Sequence, residues 1–234
     1  MPLLTEKRPF DVTRQNGVRD QALKTLQDLE VLMRDGHFDY GNGFHGRVYL
    51  NPHQLFLHPS TIWRLAQDLL DVLPGEIIAQ TDVVAGPATG GALLAHTIAG
   101  LIDGRRPLSH PSCSFAPLPN AAEASVLRSF YRKQLAGKRV LLADDVRNTG
   151  KTFERSAALI TEAGGNVIAT VEIFDRMEAI VDLGVPNYAL ADYAASANYP
   201  AETCPMCREG MPITKFWSTA NPGVRPRTRS AEHK

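Results

Sequence analysis

Apolar residues recur at helical spacing at Ala22, Leu26, Leu29 and Met33, which predicts an N-terminal helix that Gly36 stops, placed as an appendage or lid. The next stretch, DGHFDYGNGFHGRVYLN from Asp35 to Asn51, mixes glycines with aromatics and ends in an alternating run, the pattern of a turn-rich β segment. Ser60 then offers an N-cap to a helix with Ile62, Leu65, Leu69 and Val72 on one face, closed by Pro74. From there strand, loop and helix succeed one another, in DVVAGPATGGALLAHTIAGLI, KRVLLADDVRNTGKTFERSAALITEAGG and NVIATVEIFDR. Short strands apolar on both faces, alternating with helices, predict an α/β fold with a mostly parallel sheet and helices on both faces. Ligands of such sheets gather at the carboxyl ends of the strands, which singles out Gly86 to Gly91, Asp144 to Thr152, and Asp175 with Arg176. Beyond Tyr199 the chain is rich in proline and basic residues and lacks periodicity, so an irregular tail is expected at least after Asn221.

Composition narrows the class. With 234 residues, 44% of them hydrophobic, the chain can bury one large α/β core. Its 25 Lys and Arg balance 25 Asp and Glu, which removes the basic footprint of a nucleic-acid binder, so an anionic ligand has to be met by local geometry. No apolar run has the length of a signal peptide core or a membrane span, and a soluble, cytoplasmic protein is expected. Cys113, Cys204 and Cys207 are too few for a disulfide framework, which fits a reducing compartment.

The chemistry concentrates in GKRVLLADDVRNTGKTFERSA. Two adjacent acids at the end of a buried strand repel each other and resist burial unless hydroxyls, cations or solvent offset the cost. The tetrapeptide TGKT suggests a nucleoside-triphosphate loop, but the glycine that motif needs five positions before Gly150 is Asp145, an anion that would repel the phosphate. GPATGG likewise lacks the Gly-x-Gly-x-x-Gly spacing of a dinucleotide fingerprint. What remains is a pair of acids followed by hydroxyl and amide groups that run into a helix N-terminus. The N–H groups of Asn148 to Thr152 can hold a phosphate, and Asp144 and Asp145 can accept hydrogen bonds from two neighbouring hydroxyls. A ribose 5-phosphate fits both halves. Elsewhere, Cys204 and Cys207 form a single Cys-x-x-Cys, a candidate half of a zinc site or else a packing turn. His37, His45, His53 and His58 lack helical metal spacing and are expected in turns and on the surface.

VLLADDVRNTGKT resembles the phosphoribosyl-pyrophosphate signature of the type I phosphoribosyltransferases. GHFDYGNGFHGRVYLN, DVVAGPATGGALLAHTIA and FDR at Phe174 to Arg176 follow in the order found in orotate phosphoribosyltransferases, and one branch of that family also ends in a segment like YPAETCPMCREGMPI. The resemblance covers roughly residues 20 to 215. It implies the type I phosphoribosyltransferase fold, with an N-terminal helix and hood segment over residues 1–58, a core over 59–215 and an irregular tail over 216–234. It further implies transfer of phosphoribosyl from 5-phosphoribosyl 1-pyrophosphate to orotate or a related carboxylated base, with Mg²⁺ as cofactor and a homodimer as the working form. Asp144 and Asp145 would take the ribose hydroxyls. Val146, Arg147, Asn148, Thr149, Gly150, Lys151 and Thr152 would form the 5-phosphate loop, and Ala88, Thr89, Gly90 and Gly91 the pyrophosphate loop. Asn148 and Arg176 would meet the base, Arg176 through the two parallel hydrogen bonds its fork offers a carboxylate, with a surface ion pair as its other use.

Three features depart from the family. Active relatives carry a basic loop before the signature strand, whereas Cys113 to Leu127 contains no Lys or Arg, and Leu118 stands where a lysine is usual. Gly41 likewise stands where some relatives have a lysine near orotate, and Asn148 replaces a more usual threonine. A second expectation therefore stands beside the enzyme: a regulatory protein that binds a phosphoribosyl ligand with little or no turnover.

Overall fold

The computed structural model describes residues 12–40, 43–119, 127–177, 181–193 and 198–214. In chain order its first elements are α1 (Val12–Asp28), β1 (Leu32–Met33), β2 (Phe38–Asp39), β3 (Phe44–Gly46), β4 (Tyr49–Leu50), α2 (Pro59–Val72) and α3 (Gly75–Gln80). The alternating region follows as β5 (Val83–Pro87), α4 (Gly90–Gly104), β6 (Ser114–Leu118), α5 (Ser129–Leu135), β7 (Arg139–Arg147), α6 (Lys151–Glu162), β8 (Asn166–Asp175) and β9 (Asn187–Asp192). The described chain closes with β10 (Tyr199–Pro200) and the short α7 (Pro205–Arg208).

Residue contacts divide the chain into two units, Met1–Leu32 with Pro52–Ala195, and Met33–Asn51 with Ser196–Lys234. This differs from boundaries after residues 58 and 215. In the first unit five strands run in the order β6-β5-β7-β8-β9, every neighbouring pair parallel. The expected sheet is therefore present. Its middle strand explains why: Val140, Leu141, Leu142 and Ala143 are all fully buried, which only helices on both faces allow. Val140 and Leu142 share one cluster with Val83, Ala85, Leu118, Phe153 and Ile160. Alternation sends Leu141 and Ala143 to the other face. Helices α4 and α2 pack on this sheet against β7 and β8.

Two local expectations change. The N-terminal helix is no appendage: Ala22 and Leu26 are buried, and α1 packs on α2 and β9 within the first unit. It ends at Asp28, so Met33 falls in β1. The N-cap of α2 is the extended His58, two residues before Ser60, with Pro59 in the first turn, where a missing N–H costs nothing. Its buried face, which includes Ile62, Leu65, Leu69 and Val72, is the one the periodicity indicates.

The second unit holds a small antiparallel sheet of order β10-β3-β2, in which Tyr199 pairs with His45 and Asp39 with His45 on the other side. The turn-rich β segment expected between Asp35 and Asn51 is therefore present as short strands. Among the described residues no helix is long and apolar enough to cross a membrane. The tail from residue 215 onward lies outside the described residues.

Candidate active site

Strands β5, β7 and β8 lie side by side and parallel, so their carboxyl ends share one edge of the sheet. The three loops singled out in the sequence start there. Strand β7 runs farther than its apolar run suggests: both acids lie inside it, Asp144 opposite Glu172 and Arg147 opposite Asp175. Asp144 Oδ1 accepts the Asp145 N–H at 2.9 Å, and Asp145 Oδ1 accepts that of Val146 at 2.8 Å. Burial first, and then the neighbouring charge of Asp145, hold the Asp144 carboxyl well above the usual carboxylate range.

The loop after β5 packs directly on this pair. A Cβ on Gly90 would collide with the Asp145 carboxylate and lie 2.8 Å from the Phe56 ring, and one on Gly91 would lie 2.8 Å from Asp144 Oδ1. No side chain other than hydrogen leaves room for that approach. Thr89 and Ala88 complete the turn into α4.

Past β7 the chain turns through Asn148, Thr149 and Gly150 into α6. Gly150, at φ 82°, is the left-handed N-cap, and no side chain caps this end of the helix. The first-turn N–H groups and the positive end of the helix dipole therefore remain for an anion. A pocket of about 150 Å³ opens here, lined by Val146 to Phe153 and by Arg155, so every residue expected in the phosphate loop lines it. Val146 and Arg147 do so from the strand. Arg147 is buried, donates to the Val181 carbonyl at 2.9 Å and lies over the Phe153 ring, which makes its guanidinium a brace for the loop wall. Arg176 is half-buried just beyond β8, and its N–H donates to the Arg147 carbonyl at 2.9 Å.

Glu172 was missed in the sequence, although an acid within NVIATVEIFDR is itself a signal. It is fully buried beside Asp144, with the Asn187 amide donating to its Oε1 at 2.7 Å. Burial pushes its carboxyl up from 4.5 to about 8, with Asp175 adding to the rise and Asn187 and Arg147 opposing it. The folded protein thus keeps a proton that the unfolded chain releases. Stability from this group is complete below pH 4.5 and is lost as the pH rises through 8, at up to about 1.4 kcal/mol per unit between them. Glu172→Gln, which resembles the protonated acid, should flatten that decline and be the more stable form above pH 8. Urea unfolding at several pH values reads the difference; parallel profiles for the two proteins would refute it.

The segment expected as a loop before β7 begins instead as the edge strand β6. Leu118 ends β6 beside the glycine loop, pairing with Pro87 and accepting the Ala88 N–H at 2.9 Å, but its side chain is 1% exposed and packs in the core cluster, so it does not face the candidate site. Residues 120–126 and Gly41 lie outside the described residues. His53 is likewise undescribed in its side chain, while His37 and His45, expected at the surface, are buried in the second unit.

The phosphoribosyl transferase domain family matches residues 60–183. The orotate phosphoribosyltransferase of Caldanaerobacter subterraneus subsp. tengcongensis is 31% identical over 197 residues, covering 84% of this chain and 96% of the relative. That of Erythrobacter litoralis is 31% identical over 204 residues, covering 86% and 98%. Among solved structures, orotate phosphoribosyltransferase from Aeropyrum pernix superposes with a TM-score of 0.55 at 23% identity, over 72% of this chain and 92% of that one. The Mycobacterium tuberculosis enzyme in complex with 5-phospho-α-D-ribosyl 1-diphosphate superposes with a TM-score of 0.51 at 16% identity, over 76% and 90%.

Proposed function

The chain belongs to the phosphoribosyltransferase family, among the orotate phosphoribosyltransferases, and from that membership we propose that it transfers the phosphoribosyl group of 5-phosphoribosyl 1-pyrophosphate to orotate. The observation that carries this reading is the continuity of the site: an acid pair at the end of β7, an uncapped helix N-terminus a few residues on, and a glycine loop pressed against the acids. A phosphate, a ribose diol and a pyrophosphate are the three parts of one substrate, in that order.

In this reading the α6 first-turn amides with Asn148 to Thr152 hold the 5-phosphate, and Val146 and Arg147 form the strand side of the same pocket. Asp144 and Asp145 accept hydrogen bonds from the ribose hydroxyls, which favours their charged forms and lowers the Asp144 carboxyl again. The backbone from Ala88 to Gly91 approaches the pyrophosphate. Arg176 grips the orotate carboxylate, with Asn148 beside the base. The ring nitrogen of orotate bonds to the anomeric carbon as the bond to pyrophosphate breaks. The electron pair leaves with pyrophosphate, and the ring-nitrogen proton goes to solvent. Products are orotidine 5'-phosphate and pyrophosphate.

Mg²⁺ belongs to the same reading. The residues fit it: two adjacent carboxylates are hard oxygen donors, and a divalent cation held by them would offset the burial of Asp144 and its repulsion by Asp145. Such an ion supplies positive charge against the leaving pyrophosphate. Because Cys113 to Leu127 carries no Lys or Arg, and a second copy in the cytoplasmic homodimer we propose has the same sequence, a side-chain cation facing the pyrophosphate has to come from outside this segment, with Arg128, Arg132 and Lys133 the next in sequence.

The test is to incubate the pure protein with 5-phosphoribosyl 1-pyrophosphate, Mg²⁺ and a panel of bases, and follow pyrophosphate release. Release with orotate, and little with adenine or guanine, is expected. Release with a purine in place of orotate, or with no base at all, overturns the assignment.

A further inference from the structure

In the second unit, two histidines and two cysteines far apart in sequence meet at one point. His37 precedes β2, His45 lies in β3, Cys204 is the N-cap of α7 and Cys207 lies one turn along it. The four ligand atoms are all within 4.8 Å of one another. His37 Nε2 lies 2.9 Å from His45 Nδ1, 3.7 Å from Cys204 Sγ and 3.6 Å from Cys207 Sγ, while Cys207 Sγ lies 3.3 Å from His45 Nδ1. We propose that these four side chains form a structural tetrahedral zinc site.

The geometry is close to what the ion requires. Zinc bonds of about 2.05 Å to nitrogen and 2.3 Å to sulfur place tetrahedral ligands about 3.3 Å (N···N) and 3.6 Å (S···N) apart. The tautomer of His37 is also fixed for metal binding. Its Nδ1 lies 2.8 Å from the Met211 carbonyl, which only accepts, so Nδ1 carries the hydrogen and Nε2 presents its lone pair to the cluster. His45 turns its Nε2 toward Asp39 Oδ1 at 3.9 Å and its Nδ1 inward. Cys204 and Cys207, three positions apart at the start of α7, fall on the same side of the helix.

The donor set identifies the ion. Two imidazoles and two thiolates in a tetrahedron suit Zn²⁺ and not the oxygen-seeking Mg²⁺. All four positions are filled by protein, so the ion has no place for a reacting water and holds structure. The unit has need of it: its buried hydrophobic side chains among the described residues are Phe38, Val48, Cys204 and Met206. So small a core is commonly completed by a metal. The inference does not rest on the proposed reaction.

The experiment uses the full chain, purified reduced and without chelator. Elemental analysis should find about one zinc per chain, and Cys207→Ser should lower that several-fold, with His37→Gln as a second variant. Cobalt(II) taken up in place of zinc should give the intense visible bands of a tetrahedral site and thiolate charge transfer, both lost in Cys207→Ser. Circular dichroism tells loss of metal from loss of fold, and Cys207, whose thiol is exposed, is the variant most apt to keep the fold. Wild type that takes up neither metal when reduced, a six-coordinate cobalt spectrum, or uptake unchanged in both variants would each overturn the proposal.

Discussion

Asp145→Ala is expected to weaken binding of 5-phosphoribosyl 1-pyrophosphate about 10- to 100-fold, the cost of one or two hydrogen bonds to a charged acceptor, while leaving the unliganded protein at least as stable. The two halves of this expectation have a common cause. Asp145 lies against Gly90 and beside Asp144, whose carboxyl is pushed up by burial and then by the Asp145 charge. Without a ligand that charge is a liability, and its removal lets Asp144 ionise more readily. With a ligand the same charge meets a ribose hydroxyl and the cation that accompanies pyrophosphate. Thermal melting reads both effects at once. A ligand at a hundred times its dissociation constant adds about 2.7 kcal/mol to the wild type, and a variant weakened a hundredfold keeps only about 0.4 kcal/mol at the same concentration. Equal ligand-induced shifts in the two proteins would remove Asp145 from the site. A wild type whose melting temperature ignores millimolar ligand would remove the site itself.

Leu118→Lys should destabilise the protein by on the order of 3 to 5 kcal/mol, not restore a missing cation. Aligned with relatives, the position invites a lysine. In the fold it is buried at 1% exposure with Ala85, Ala116 and Leu127 around it in the core cluster. A lysine there loses the leucine packing and must shed its charge or drag water inward. Its folded pKa would fall below the ordinary value of about 10.4, so stability is present above that pH and is lost as the pH falls through the lowered value. Chemical denaturation at pH 7 and pH 10 should therefore show the deficit shrinking at the higher pH. A variant as stable as wild type at pH 7, with faster pyrophosphate release, would mean that the side chain reaches the sheet edge after all.

The sheet and the strand ends that carry the candidate site were legible because they depend on local, periodic signals. Val140 to Ala143 reads as a buried strand, the Asp pair as a cost that needs a reason, and Gly150 as a turn into a helix. Leu118 was misread because a departure from family pattern says which residue is absent without saying what the position does, and strand pairing with Pro87 is a nonlocal fact. Helix α1 was misplaced for a similar reason: its apolar face was visible, but not the partners, α2 and β9, that bury it. The histidines failed most plainly. His37 and His45 lie more than 150 residues from Cys204 and Cys207, and no spacing rule reaches across that distance. Glu172 stood in view as an acid between apolar neighbours Val171 and Ile173, but that it is fully buried beside Asp144 is a nonlocal fact.

The small sheet of the second unit also has a consequence for the order in which the protein is made. His45 in β3 pairs with Tyr199 in β10, so one side of that sheet leaves the ribosome long after the other. At about 5 to 20 residues per second the nascent chain carries an unpaired β3 edge for roughly 10 to 30 s, during which the sheet core that lies between the two segments can already have formed. A product whose synthesis stops before Tyr199 keeps that edge open permanently and lacks both thiols that meet His37 and His45. Quality control acting on such fragments would thus meet a completed α/β core joined to an exposed strand, a species the finished molecule never displays.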